Sequence, residues 1–381
     1  MFASTAAALD TELSGETLSA SRSHAASCLQ AHGLDDAPLI EKLLKHATEA
    51  KLGNLTALPF VFTHIPKNGG TTLTALLKAS WAGAGCVEWQ AQNPHILPAV
   101  RTFYEQCAVN SKCDPTTNAA ALGLTPGAIC NFLHLKSAQA GFPIEALRLA
   151  LPMFGHPDFG ALRYVVGHVM YGACDFLSEG CTYSTMLREP VDRFLSHMWW
   201  ECRPESSVRQ RHGEGCDSIA AFARAAVARR DEQPYLQFHN HQTRMISGDN
   251  FFNSMHGGFP CHFASSGCDL HKSSMLTRAD LRKAISNLVE RTPVWGHMDD
   301  MGNFMRRLSR AYGIEFSAQH LDEPPKLNAA KQGRRLAARP MLEDLDPETR
   351  MLIGRAVNLD LELYNVSSCL LESPIYRVVA Q

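Results

Sequence analysis

The sequence predicts an α/β fold with a central, mainly parallel sheet, and three observations carry that reading. Short apolar runs of strand length, bounded by Pro or Gly, occur at Leu58 to Thr63 (LPFVFT) and Leu162 to Val166 (LRYVV). Segments with helical spacing alternate with them, which favours parallel strands joined by crossover helices over a meander of hairpins. The composition, 45% apolar and 19% charged over 381 residues, supplies a sizeable core and excludes a disordered polymer.

The elements follow in chain order. Residues 1–57 are first Ala/Ser/Thr-rich and then carry Leu39, Ile40, Leu43 and Leu44 at helical spacing, so an N-terminal extension with one amphipathic helix is expected there, ahead of a main domain over 58–381. The run LPFVFT reads as a buried strand. After HIPKNGG, Leu73, Leu76 and Leu77 share one face of a helix. From Ala82 to about Phe159 no period emerges, and loops and short helices covering one end of the sheet are expected. LRYVV and Tyr183 to Leu187 (YSTML) read as further strands, the second leading into a helix where Pro190 suits the first turn. Helical patterns return at Ser218 to Arg229, Arg278 to Glu290, Met301 to Tyr312 and Pro347 to Tyr364.

Charge and cysteine content narrow the function classes. With 36 Lys+Arg against 38 Asp+Glu the net charge is −2, so no global positive field recruits nucleic acid, and an anionic ligand needs a local basic site. Twelve cysteines without a C-x-x-C make zinc an unfavoured reading and an oxidising compartment the favoured one over twelve cytosolic thiols. The local candidate pairs are Cys107/Cys113, Cys174/Cys181, Cys202/Cys216 and Cys261/Cys268, and sequons stand at Asn54 and Asn365. His239 and His241 alternate like residues on one face of a strand but lack a third ligand at metal-site spacing, so no metal is expected. No run is apolar enough to span a membrane, and the opening MFASTAAALD lacks the basic start of a signal peptide.

Two segments carry chemistry. HIPKNGGTT (His64 to Thr72) lies between a strand and a helix, where glycines admit an anion, a helix N-terminus directs N–H groups at it and Lys67 adds a mobile charge. It is not a Walker loop, because Lys67 precedes the glycines. In LREPVDRFLSH, Arg188 at a strand end and Ser196 in the following helix could converge on one anion, guanidinium as a fork and hydroxyl as a donor.

Together these segments resemble the sulfotransferases that use 3'-phosphoadenosine 5'-phosphosulfate (PAPS), in the Golgi carbohydrate branch with the heparan sulfate 2-O- and 6-O-sulfotransferases. HIPKNGGTT is similar to that family's 5'-phosphosulfate loop and TMLREPVDRFLSH to its 3'-phosphate segment, while GHVMYG (Gly167 to Gly172) resembles its Gly-His element. NHQTRMISG, DLRKAISNLVERTPVWG and NLDLELY follow in the family's order, over about Pro59 to Tyr364. The resemblance implies a P-loop-like sulfotransferase fold and sulfuryl transfer from PAPS to a sugar hydroxyl, leaving PAP, without a metal. It implies Lys67 on the leaving phosphate, the 5'-phosphate on the backbone amides of Asn68, Gly69, Gly70, Thr71 and Thr72 and the hydroxyls of Thr71 and Thr72, and the 3'-phosphate on Arg188 and Ser196. His168 becomes the general base, since a neutral imidazole with an ordinary pKa of ~6.5 suits proton removal near neutral pH; His64 is the reserve.

The expected partner is a carbohydrate: an acidic polysaccharide if Arg203, Arg209, Arg211, Lys326, Lys331, Arg334 and Arg335 line a groove, and equally a weakly charged or neutral glycan given the net charge of −2. The Golgi lumen or secretory route is expected, though the missing signal leaves the cytoplasm open as well. Two other classes compete. A kinase or NTPase would need a Walker Lys after the glycines and an acidic magnesium ligand. A non-catalytic PAP- or glycan-binding protein could keep the same fold.

Overall fold

In the computed structural model, which describes residues 15–34, 37–51, 55, 59–83, 86–90, 130–135, 161–167, 171, 174, 181–202, 216–230, 235–248, 276–325 and 341–376, the apolar runs form strands of one sheet. Strands β1 (Phe60–Thr63), β2 (Cys86–Gln90), β3 (Cys130–Leu135), β4 (Ala161–Gly167), β5 (Thr182–Leu187) and β6 (Val294–His297) lie in the order β2-β3-β4-β1-β5-β6. Every neighbouring pair is parallel. The chain is thus α/β, as its alternating pattern predicts. One expectation is corrected: the stretch from Ala82 to Phe159, read as loops and helices covering the sheet, contributes β2 and β3 and extends the sheet instead.

The strand order fixes where a site can sit. β1 is central, with β4 on one side and β5 on the other; the connection after β1 runs to β2 on the β4 side, while the one after β5 runs to β6 on the opposite side. In open parallel sheets this reversal opens a crevice beyond the strands' carboxyl ends. The HIPKNGG loop after β1 and Arg188 after β5 both issue into it, and the register Thr63↔Thr185 sets them side by side.

Helices cover both faces. On one face α1 (Gly15–Gln30) and α2 (Ala37–Lys51) pack with the helices Arg278–Arg291 and Asn358–Leu371 around Val61, Tyr183, Leu187 and Trp295. The four residues that predict α2, Leu39, Ile40, Leu43 and Leu44, are all buried there, and α1 is an additional helix before it. On the opposite face α3 (Gly70–Gly83) packs Leu73, Leu77 and Trp81 against Phe60 and Phe62. The alternation of Phe60 and Phe62 against Val61 is the strand's period of two, with both faces apolar because both are covered.

The remaining helices begin where the sequence supplies caps. In α4 (Pro190–Glu201) Pro190 occupies the first turn and the Glu189 carboxylate accepts from Val191 N at 3.1 Å and Asp192 N at 2.6 Å. α5 (Ile219–Ala228) starts at Ser218, and α6 (His241–Ser247) follows a 3-10 turn, Tyr235–Phe238. His241 opens a helix and His239 precedes it, so the strand-like alternation that hinted at a shared metal face is absent. α7 (Arg278–Arg291) has a capping box from Thr277 and Asp280, and α8 (Met301–Tyr312) ends at Gly313 in the left-handed region. After the short α9 (Ala318–Asp322), the pattern read as one helix over Pro347 to Tyr364 is two, α10 (Pro347–Ala356) and α11 (Asn358–Leu371). The break has a cause far away in sequence: Asn240 N donates to Ala356 O at 3.1 Å, and Asn240 Oδ1 accepts from Leu359 N at 2.8 Å, restarting the helix.

Disulfides Cys174–Cys181 and Cys202–Cys216 form as their spacing predicts. Cys107/Cys113 and Cys261/Cys268 lie outside the described residues. A third bridge, Cys28–Cys369, joins α1 to α11 across a separation of 341 residues. His24 lies near its sulfurs, but these are bonded to each other and offer no thiolate to a metal. Among the described residues no helix is long and apolar enough to cross a membrane.

Candidate functional site

The site is built first from the turn between β1 and α3. Lys67 (φ 72°) and Gly69 (φ 76°) are left-handed, which is ordinary for glycine and costs a Lys roughly 1–2 kcal/mol. The glycines also serve packing. A Cβ on Gly69 would stand 2.9 Å from the methyls of Met186 and Met301, and one on Gly70 would stand 2.0 Å from His64 Cδ2. The His64 ring thus packs against Gly70 of the loop that it precedes. Thr72 N and Leu73 N turn back to Gly69 O at 3.1 and 3.3 Å. The N–H groups of Gly70 and Thr71, in the helix's first turn, are ones the helix itself cannot satisfy.

Strand β5 brings Arg188 beside that turn. The residue is buried, and its guanidinium donates from Nη1 to Lys67 O at 2.7 Å and from Nε to Asp192 Oδ2 at 2.6 Å, while Nη2 pairs with the same carboxylate. Of five N–H groups two remain for a ligand. Burial pulls its pKa down to about 10, opposed by Glu189, so it is charged at neutral pH. Ser196 is buried farther along α4. Lys67 Nζ lies 4.3 Å from the ring centroid of Trp200, on the last turn of the same helix, in cation–π geometry.

Behind these residues stands a buried polar layer that sequence reasoning missed. Gln242 Oε1 accepts from Asn68 Nδ2 at 2.7 Å and from Arg188 N at 3.0 Å, while its Nε2 donates to Arg188 O at 2.9 Å. The Asp360 carboxylate accepts from Gln242 N and Thr243 N at 3.1 and 2.7 Å, capping α6. Arg193, fully buried, donates from Nη2 to Gln237 O at 2.9 Å. Burial lowers its pKa to about 10 and Asp360 opposes the shift. Burial likewise pushes Asp360 up, against Arg193 and the amides it accepts from. No local pattern marks Gln242 or Asp360, because each partner lies more than fifty residues away.

His197 completes the back of the site. Its ring stacks on Phe238 with centroids 4.5 Å apart, and Nε2 lies 3.4 Å from Glu201 Oε1. Burial lowers its pKa to about 4 against the pull of Glu201, with Arg193 and Lys67 adding to the fall, so it is neutral at pH 7.

Of the residues singled out from sequence, Lys67, Asn68, Gly69, Gly70, Thr71, Thr72 and Arg188 are gathered at the ends of β1 and β5, with Ser196 in the helix that follows. Thr72 is buried and Thr71 exposed. His168 lies outside the described residues, immediately after Gly167, whose carbonyl accepts from His64 N at 2.7 Å. Arg203, Arg209, Arg211, Lys326, Lys331, Arg334 and Arg335 lie outside them as well. Compared with models of known protein families and with curated proteins, the chain matches none.

Proposed function

We propose that this chain is a sulfotransferase with a P-loop-like fold, moving the sulfuryl group of PAPS to a carbohydrate hydroxyl. The observation that carries the reading is the hydrogen bond from Arg188 Nη1 to Lys67 O, which joins two segments whose sequences each resemble one phosphate site of that family. The chemistry of the cradle fits an adenosine 3',5'-bisphosphate. The first-turn amides of α3 and the hydroxyls of Thr71 and Thr72 suit the 5'-phosphate, and the two unspent N–H groups of Arg188 with the Ser196 hydroxyl suit the 3'-phosphate.

PAPS supplies an activated sulfuryl whose bond to the 5'-phosphate oxygen breaks as the acceptor oxygen bonds to sulfur. Lys67 leaves the Trp200 ring to neutralise the charge that develops on that phosphate oxygen. His168 takes the proton of the acceptor hydroxyl, so the products are a sulfate ester, PAP and a protonated imidazole. The bridges Cys28–Cys369, Cys174–Cys181 and Cys202–Cys216 agree with an oxidising compartment, and a Golgi location belongs to this proposal.

Thermal unfolding with PAP, against ATP plus magnesium as a control, tests the nucleotide. Ligand at a hundredfold excess over Kd adds ~2.7 kcal/mol of stability, so PAP raises the melting temperature and ATP does not. Transfer of labelled sulfate to glycan acceptors then tests the chemistry. Lys67→Ala loses about 10²–10³ in turnover, the size of one lost charge-stabilising donor. Arg188→Ala weakens PAP binding as well, and His168→Ala loses turnover while still binding PAP. A melting curve that ignores PAP would overturn the reading.

A further inference from the structure

We infer that Gln242 is a positioning residue that fixes the spacing between the two phosphate-binding halves of the site, and that it acts only when both halves are engaged by one ligand. The inference rests on the nucleotide reading above. Its basis is the way a single carboxamide is spent. Gln242 bonds both the N–H and the carbonyl of Arg188, at 3.0 and 2.9 Å, so it fixes the backbone at the end of β5 and leaves the guanidinium to other partners. The same Oε1 accepts from Asn68 Nδ2, which also donates to Met186 O at 2.8 Å. The loop after β1 is thereby stitched to β5 through the Gln242 carboxamide, which none of the assigned phosphate contacts uses.

Both amide orientations are dictated by their partners. Turning Gln242 over would set its NH₂ against Arg188 N, and turning Asn68 over would set its oxygen against Met186 O. Gln242 is itself held from behind, since its N–H donates to Asp360 Oδ2 and α6 is tied at its far end by Asn287 Nδ2 donating to Ile246 O at 2.8 Å. The direct bridge from Arg188 Nη1 to Lys67 O cannot do this job alone, because it uses the two side chains or backbones that must adjust to the ligand. A buried carboxamide bonded through both its oxygen and its nitrogen at the joint is a rigid spacer.

A spacer has a signature that general destabilisation lacks. A ligand bearing both phosphates gains from having the halves correctly separated, whereas a ligand bearing one phosphate does not. The experiment measures calorimetric affinities of adenosine 3',5'-bisphosphate, adenosine 5'-monophosphate and adenosine 3'-monophosphate for the wild-type chain, Gln242→Met and Asn68→Ala. Gln242→Met keeps the length and removes every side-chain hydrogen bond, and Asn68→Ala opens the clasp from the loop side. The expected result is about a tenfold loss for the bisphosphate in both variants, the effect of one or two lost hydrogen bonds, with the 5'- and 3'-monophosphates changed less than about twofold in Gln242→Met. The double variant loses no more than the larger single loss. Equal losses for all three ligands, or no loss for any, would overturn the spacer while leaving the nucleotide reading intact. Failure of the wild-type chain to bind the bisphosphate would overturn that reading and the spacer with it.

Discussion

At the scale of single residues, two buried histidines set how the molecule meets acid. Burial holds His197 near a pKa of about 4, and His297, whose Nε2 is 2.8 Å from Ser367 Oγ, is likewise lowered to about 4 by burial against the pull of Asp299. An unfolded imidazole titrates near ~6.5, so between pH 6.5 and 4 the unfolded chain binds protons that the folded chain refuses. The stability they contribute is complete above pH 6.5 and falls as pH drops through that window. By pH 5 each has cost about 2 kcal/mol, from roughly 1.5 pH units at 1.36 kcal/mol each. Replacing His197 by Gln, which cannot titrate, is expected to remove about half of this loss. Urea unfolding at pH 7 and pH 5 measures it, and an unchanged difference between the two pH values in the variant would refute the assignment.

At the scale of elements, α6 and α11 start by capping each other. Asn240, left-handed at φ 45°, accepts from Leu359 N and Asp360 N at the start of α11, and Asp360 accepts from Gln242 N and Thr243 N at the start of α6. Asp360 also faces the charge of the wholly buried Arg193. The two make no direct ion-pair contact among the described residues, so losing the compensating charge belongs at the low end of the 3–5 kcal/mol typical of a broken buried pair, and a lost cap adds about 1 kcal/mol. Asp360→Ala is therefore expected to lower the unfolding free energy by roughly 4 kcal/mol in a urea titration. A cost under about 1 kcal/mol would mean that Arg193 is balanced by something else.

The same elements show what was legible beforehand. β1, β4 and β5 announce themselves because central strands of a covered parallel sheet are apolar on both faces. CVEWQ and CNFLHL, which form β2 and β3, mix polar and apolar residues, as strands towards the edge of the sheet are free to do, and β6 is four residues containing Gly and His. In the site, Lys67 to Thr72 and Arg188 to Ser196 were legible because their spacing is local. The joint at Gln242 and Asp360 was not, since nothing in a polar run of sequence tells which amide will be buried against a strand end 54 residues earlier.

At the scale of the whole molecule, the helix that supports the site is also the one tied back to the start of the fold. Cys28–Cys369 joins α1 to α11, where Leu359, Leu363, Val366 and Leu370 pack with Ala25 and Leu29 in the same core. A bridge closing so long a loop stabilises chiefly by restricting the unfolded chain, by about 2–5 kcal/mol for native bridges. Replacing both cysteines by Ala, which avoids a stray thiol, is expected to lower the unfolding free energy by that amount and so to lower the urea midpoint. It is also expected to steepen the denaturant dependence, since the uncrosslinked chain unfolds to a more exposed state. The folded site should feel little of this: with Asp360 still capping α6 through local hydrogen bonds, PAP affinity at low urea stays within about twofold of wild type on the nucleotide reading. A variant with an unchanged midpoint would show that the packing of α1 alone holds α11. One with an unchanged midpoint but weakened PAP binding would instead place the bridge's role in the native state, acting through α11 on the clasp.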